Sequence, residues 1–371
     1  MTLPAFQAAE CGQSIWYDNI SRDLLRSGEL ERLIRHAGVR GVTSNPSIFQ
    51  KAMSTSQAYE EGFARLSGSG DAETVYEALA VEDIQAGADL LRELYDETNG
   101  ADGYISLEVS PGLAADTEGT IAAAKRLWAA VDRPNLMIKI PATPEGMPAI
   151  RAVIGAGINV NVTLIFSQAA YDQVIDAYQS GLEDRIAAGG AVDRIHSVAS
   201  FFVSRVDSAV DKRLGAVTGA DAERAQSLRG KAAVANAKLA YALFEERFGG
   251  DRWAAIQSAG GNHQRPLWAS TSTKDPSYPD TLYVDTLIGA HTVNTIPPAT
   301  LDAFNDHGTV RADAVREGVD QARADLAAID ALGISLDAVC DELLDAGVAS
   351  FAGAFDTLLA AVDTRRRAHA G

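Results

Sequence analysis

A lysine in the middle of an apolar run is the side chain best placed to do chemistry in this chain. Lys139 lies within Leu136-Met137-Ile138-Lys139-Ile140-Pro141, and it alone of the seven lysines sits inside a strand-like segment. Lysine is almost never fully buried without a partner or a task. Desolvation disfavours an ammonium, so a buried lysine gives up its proton more readily than a free one, whose pKa is about 10.4. A neutral amine attacks a carbonyl and forms a Schiff base, an electron sink for the cleavage of a C–C bond. The plainer alternative is a lysine paired with Glu108 across neighbouring strands.

Imine chemistry needs proton carriers and groups that hold a polyol. Side chains alternate across a strand, and several apolar runs carry their polar residues on one parity. Ser106, Glu108 and Ser110 oppose Ile105, Leu107 and Val109, and Asn159, Asn161 and Thr163 oppose Val160, Val162 and Leu164. Ser200, Phe202 and Ser204 alternate with Phe201 and Val203. Trp16 shares a parity with Asp18, Thr43 with Asn45, and Ser270 with Ser272. Any one of these polar residues is explained by a satisfied buried hydrogen bond, and Asp18 by a turn before Asn19-Ile20-Ser21. Together they converge, because buried polar groups are costly as mere filling. Asp18 and Glu108 supply carboxylates for proton transfer, and Asn45, Asn161, Thr163 and Ser200 supply hydrogen bonds for hydroxyls. Arg205, Ser270, Ser272 and Lys274 end two late strands, where barrels often hold phosphate. The surface alternatives are an Arg205 ion pair with Asp207 or Asp211, and a solvated Lys274 beside Asp275.

The elements that must position these residues alternate. Eight β-rich runs (Ser14 to Asp18, Gly41 to Asn45, Tyr104 to Ser110, Leu136 to Pro141, Ile158 to Phe166, Ser197 to Arg205, Pro266 to Ser272 and Thr292 to Ile296) are separated by helical segments. Most are continuously apolar, as in a parallel sheet covered on both faces. Helices are predicted over Glu29 to His36 with Gly38 as the stop, over Glu118 to Val131, and over Ser167 to Ala188 with Ser167 as N-cap. Pro46 to Gly103 and Val206 to Gln264 are long enough for several helices each. The stretch from Ala312 to Ala370 is helical, with Gly333 and Gly347 as breaks and the Arg365-Arg366-Arg367 triplet as a solvated end. The pattern predicts an α/β fold. It is a (β/α)8 TIM barrel in one domain over 1–371, with helical insertions after strands 2 and 6 and C-terminal helices from about 312 packing on the barrel. A doubly wound open sheet is the runner-up.

The chain has 371 residues, 50 acidic and 32 basic, a net charge of −18 and a pI near 4.7. With 47% hydrophobic residues it can bury a large core, and its acidity argues against nucleic acid or an anionic membrane as partner. The two cysteines, Cys11 and Cys340, have no framework spacing, which suggests a reducing, cytoplasmic setting. No signal peptide and no run of about 18 apolar residues is read. The six histidines show no HxxxH or HExxH pattern, and no dinucleotide or P-loop motif occurs, so neither metal nor cofactor is expected.

Gly41-Val42-Thr43-Ser44-Asn45-Pro46-Ser47 and LMIKIPATPEG (136–146) resemble the two signature regions of transaldolases. The segments Asn159 to Ser167 and Ser200 to Arg205 are similar to later family segments. The likeness spans about Ser14 to Pro298, and the long insertions resemble the longer bacterial-type subfamily. It implies transfer of a dihydroxyacetone unit from sedoheptulose 7-phosphate to glyceraldehyde 3-phosphate, giving erythrose 4-phosphate and fructose 6-phosphate. That reaction belongs to the non-oxidative pentose phosphate pathway. It implies Lys139 as the Schiff-base lysine, Asp18 as the carboxylate that takes the C4 hydroxyl proton, and Glu108 with Thr163 as holders of the catalytic water. Asn45 and Asn161 match ligands of the dihydroxyacetone hydroxyls, Ser200 another polar contact, and Arg205 a phosphate-binding arginine. With Thr43, Phe202, Ser270 and Lys274 these form the expected substrate site. Where many members carry a second arginine after the Ala-Ser of the seventh strand, this chain has Ala269-Ser270-Thr271-Ser272-Thr273-Lys274, and lysine offers a point charge and no planar fork. Partners are small sugar phosphates, and a homo-oligomer stays open. Two other readings use the same residues: a Schiff-base aldolase that cleaves fructose 6-phosphate and releases dihydroxyacetone, and a sugar-phosphate-binding barrel without activity, which has no need of a mid-strand lysine.

Overall fold

In the computed structural model, which describes residues 2–369, the eight runs form strands β1 (Gln13–Tyr17), β2 (Val39–Val42), β3 (Tyr104–Glu108), β4 (Leu136–Pro141), β5 (Val160–Ile165), β6 (Ser197–Phe202), β7 (Gln264–Ala269) and β8 (Thr292–Ile296). Each pairs in parallel with the next, and β8 returns to β1, so the sheet closes in chain order. Closure rules out the open sheet and leaves the (β/α)8 barrel. The residues of β1, β4, β5, β6 and β8 are all buried. Apolar parities pack outward on helices and the others fill the lumen.

The lumen is layered. At the N-terminal end Asp102 is fixed by Arg40 (2.7 Å), Arg265 (3.1 Å) and the Ser14 hydroxyl (2.6 Å). Trp16 fills the next level. A Cβ on Gly41 would lie 2.6 Å from its indole, so only glycine at 41 leaves room for the ring. Asn161 bridges the middle, its amide donating to Ser106 Oγ (3.0 Å) and its carbonyl accepting from Ser200 Oγ (2.7 Å).

The strand ends depart from expectation for local reasons. β2 stops at Val42 because Asn45 caps the helix Pro46–Thr55, accepting from the Ile48 amide at 3.0 Å with Pro46 in the first turn. β6 stops at Phe202 because the helix Ser204–Leu214 begins almost at once. β7 lies earlier than expected and ends at Ala269; Ser270 takes a left-handed conformation (φ 56°), so the alternation predicted for Ser270 and Ser272 is broken there. Among the helices, Glu29–His36 and the Ser167 cap stand as predicted. Gly347 is no break. It lies inside one helix, Leu336–Ala368, where a Cβ would meet the Leu164 side chain at 2.9 Å. Arg365 is not solvated either: it binds the carbonyls of Met53 and Ser56 and the carboxylate of Glu60, tying the end of this helix to the β2–β3 connection. The same helix contains an 18-residue window of mean hydropathy 1.4, 22% of it buried, so it is apolar enough for a membrane span by length and composition alone, although aspartates interrupt it and no run of about 18 apolar residues occurs. Its Phe351, Phe355, Leu358 and Val362 are buried in the protein core.

Candidate active site

The C-terminal mouth of the barrel holds a cavity of about 280 Å³. Lys139 enters it from β4 and is 5% exposed. Its Nζ donates to the Ser44 carbonyl (3.2 Å) and lies 3.4 Å from Glu108 Oε2, because the register sets Glu108 of β3 directly beside Lys139 of β4. The pairing foreseen as the plain alternative therefore exists, and it does not remove the lysine from the cavity. The Phe351 ring, from the C-terminal helix, stands 5.7 Å from the amine. Burial pushes the Glu108 carboxyl above the ordinary carboxylate range, against the pull of Lys139. Glu108 Oε2 and Thr163 Oγ1 are both buried without a hydrogen-bond partner among the described residues, though such groups are normally satisfied.

Asp18 follows β1 and accepts a 2.6 Å hydrogen bond from Thr43 Oγ1, which lies 2.6 Å from Thr295 Oγ1. Burial raises its pKa, while the Thr43 bond, Lys139 and Lys274 lower it in turn; burial wins. The cavity thus holds an amine and a carboxylate on separate strands, with a second carboxylate beside the amine.

Arg205 and Lys274 line the same cavity. Arg205 forms no ion pair among the described residues and lies over the Phe202 ring at 5.3 Å. The surface reading fails because Asp207 and Asp211 are buried and engaged elsewhere. Burial lowers the pKa of Arg205; burial and the nearby Arg205 lower that of Lys274. Lys274 donates to Ser272 Oγ (2.6 Å), while Asp275 faces Arg229 instead (3.5 Å). Two neighbouring cations, neither in an ion pair among the described residues, line one polar cavity and suit a dianion.

The family model for Transaldolase/Fructose-6-phosphate aldolase matches residues 15–362. The chain belongs to this family. It is 56% identical to "Transaldolase 1" of Streptomyces avermitilis over 359 residues, 96% of this chain and 94% of the relative. It is 51% identical to a transaldolase of Thermobifida fusca over 370 residues, the whole of both. A transaldolase of Thiobacillus denitrificans is 51% identical over 352 residues, 95% of this chain and 97% of its own.

Of the residues expected to form a transaldolase-like site, Asp18, Thr43, Asn45, Lys139, Thr163, Ser200, Phe202, Arg205, Ser270 and Lys274 line the one cavity. Asn161 does not. It sits a layer below, with both ends of its amide engaged by serines. Glu108 lines an adjoining cavity of about 320 Å³ and reaches the site through its contact with Lys139. Sequence reasoning gave no site role to Ser47, Thr271, Thr295, Pro297 or Phe351, which also line the cavity. Parity applied to β8 misses Thr295, which shares its face with Val293 while the polar Thr292 and Asn294 share the other. No spacing signals Phe351, which is 212 positions from Lys139 (351 − 139) and arrives by helix packing.

Proposed function

We propose that this chain is a transaldolase that works through a Lys139 Schiff base. The reading is carried by one observation: a buried lysine amine paired with a buried carboxylate, at a cavity that two cations also line. The Lys139 amine attacks the C2 carbonyl of a ketose phosphate whose phosphate is held by Arg205 and Lys274. Water leaves from the carbinolamine through the site formed by Glu108 and Thr163, whose orphaned oxygens suit a bound water. Asp18 then takes the C4 hydroxyl proton, the C3–C4 bond breaks, and its electron pair moves into the protonated imine to give an enamine. The aldose phosphate departs, a second aldose phosphate enters, and the steps reverse. Sedoheptulose 7-phosphate and glyceraldehyde 3-phosphate are the proposed pair, as in the non-oxidative pentose phosphate pathway. Thr43, Asn45, Ser200 and Ser270 hold hydroxyls, and Phe202 backs Arg205. Two free cysteines suit the cytoplasm as its place of work.

Borohydride reduction in the presence of fructose 6-phosphate is expected to attach the dihydroxyacetone carbons to Lys139, located by peptide mapping. Label on another lysine, or turnover without label, rejects the mechanism. Without borohydride, and with fructose 6-phosphate as donor and erythrose 4-phosphate as acceptor, formation of sedoheptulose 7-phosphate is expected to exceed release of free dihydroxyacetone. The opposite ratio makes the protein an aldolase.

A further inference from the structure

The helix Ser204–Leu214 starts beside Arg205 and carries two buried carboxylates one turn apart, Asp207 and Asp211, 2% and 7% exposed. Each accepts the same two kinds of hydrogen bond from the same two segments. Asp207 accepts from the Ala233 backbone N–H (2.7 Å) and the Tyr283 hydroxyl (2.7 Å). Asp211 accepts from the Gly230 backbone N–H (3.0 Å) and the Tyr278 hydroxyl (2.6 Å). The backbone donors are Gly230, just before the helix Ala232–Arg247, and Ala233 in its first turn, both within the long β6–β7 connection, and the tyrosines come from the β7–β8 connection that carries Lys274. Gly230 (φ 72°) is forced by this closure, since a Cβ there would lie 2.8 Å from the Tyr278 ring. Arg229 and Asp275, 3.5 Å apart, add a weaker tie next to Lys274 itself.

Burying two carboxylates is a poor way to stabilise a fold, since apolar residues of similar volume often do as well. It does fix geometry, because each oxygen demands its own donor in place. Lys274 needs such fixing. It is an exposed lysine on a long connection, and a flexible stem with a point charge loses more freedom on gripping a phosphate than a planar arginine fork does. None of the four clamp side chains lines the Lys139 cavity.

We propose that Asp207–Tyr283 and Asp211–Tyr278 form a two-rung clamp that sets the reach of Lys274 toward Arg205, and so sets the preference of this site for phosphorylated over unphosphorylated sugars. The proposal rests on the reading of Arg205 and Lys274 as the phosphate anchor. The four residues are positioning groups; they touch no substrate atom. Losing one hydroxyl loosens the β7–β8 connection at the phosphate end and leaves the amine, Asp18, Thr43, Asn45 and Ser200, which lie outside that connection, untouched.

Tyr278→Phe in the full-length chain tests this, with Tyr283→Phe as a second variant should the first lose its fold by circular dichroism. KM for fructose 6-phosphate and the inhibition constant of inorganic phosphate are expected to rise together, by about tenfold. The kcat is expected to stay within about twofold, and kcat/KM for unphosphorylated fructose to stay unchanged. A variant that slows fructose as much as fructose 6-phosphate, or that leaves phosphate inhibition unaltered, overturns the clamp. Lys274→Ala, measured alongside, separates the two layers. If it weakens phosphate inhibition while Tyr278→Phe does not, the clamp alone falls; if it leaves phosphate inhibition unchanged, the phosphate reading falls and the clamp with it.

Discussion

Asp18 and Thr43 show how one neighbour sets the working range of a buried acid. Asp18 serves as a base only when ionised, so activity falls as pH drops through its pKa. Burial moves that point up, and the Thr43 hydroxyl, by donating to the carboxylate, holds it partly down. Thr43→Val removes a bond that favours the charged form. The acid limb of kcat/KM against pH is therefore expected to move to higher pH, by roughly 0.5–1 pH unit. A limb that stays or moves to lower pH removes Asp18 from the base role. The parity of the first two β-rich runs makes both residues legible in the sequence, whereas the hydrogen bond between them depends on the pairing of the strands. The same holds for Lys139. Its place in an apolar run marks it, but the pairing with Glu108 and the carbonyl of Ser44 are matters of register and of the β2 end.

At the level of elements, alternation is readable wherever a strand runs regularly and misleads where the backbone turns. Ser270 breaks it by adopting φ 56°, and Thr271 then turns inward to bind Asn294 Oδ1 (2.8 Å) and the Thr295 carbonyl (3.1 Å). Gly347 misleads because a glycine that ends a helix and one that lets a helix approach a barrel strand look alike in sequence. The close approach has a consequence for the reaction. It brings the helix Leu336–Ala368 across the mouth and sets Phe351 near the amine. An enamine that meets water before an aldehyde is lost to transfer, so an apolar ring there favours transfer by excluding solvent. Phe351→Ala is expected to raise free dihydroxyacetone release relative to transfer by a factor on the order of 10, read from products of one incubation. An unchanged ratio means that the ring does not guard the intermediate.

Across the whole molecule the chemistry and the stability sit at opposite ends of the barrel. Below the lumen, burial opposes ionisation of Asp102, yet Arg265 and Arg40 outweigh it and hold its pKa below the ordinary range. Histidines scattered in sequence meet at this end: the rings of His263 and His291 are 4.9 Å apart, and His196 packs on Tyr104 at 5.5 Å. Burial pushes His196 and His263 down to about 4. A histidine near 6.5 when unfolded and about 4 when folded leaves the unfolded chain holding more protons between those values, so stability is lost as pH falls from about 6.5 toward 4. Thermal unfolding is expected to show Tm falling over that range. His196 Nε2 has no hydrogen-bond partner among the described residues, so His196→Phe costs little at pH 7 and is expected to flatten the fall. An equally steep fall in that variant would assign the acid sensitivity elsewhere.

The sequence by itself determined the strands, their faces and the identity of most groups that face the cavity. Buried parallel strands leave a continuous apolar signal, and a polar residue inside one stands out against it. Tertiary structure alone decided that Asn161 lies beneath the cavity, that Glu108 reaches the amine from an adjoining chamber, and that Phe351 and the clamped β7–β8 connection complete the mouth. Those outcomes depend on strand register and on helices meeting across long sequence separations, which no local pattern encodes.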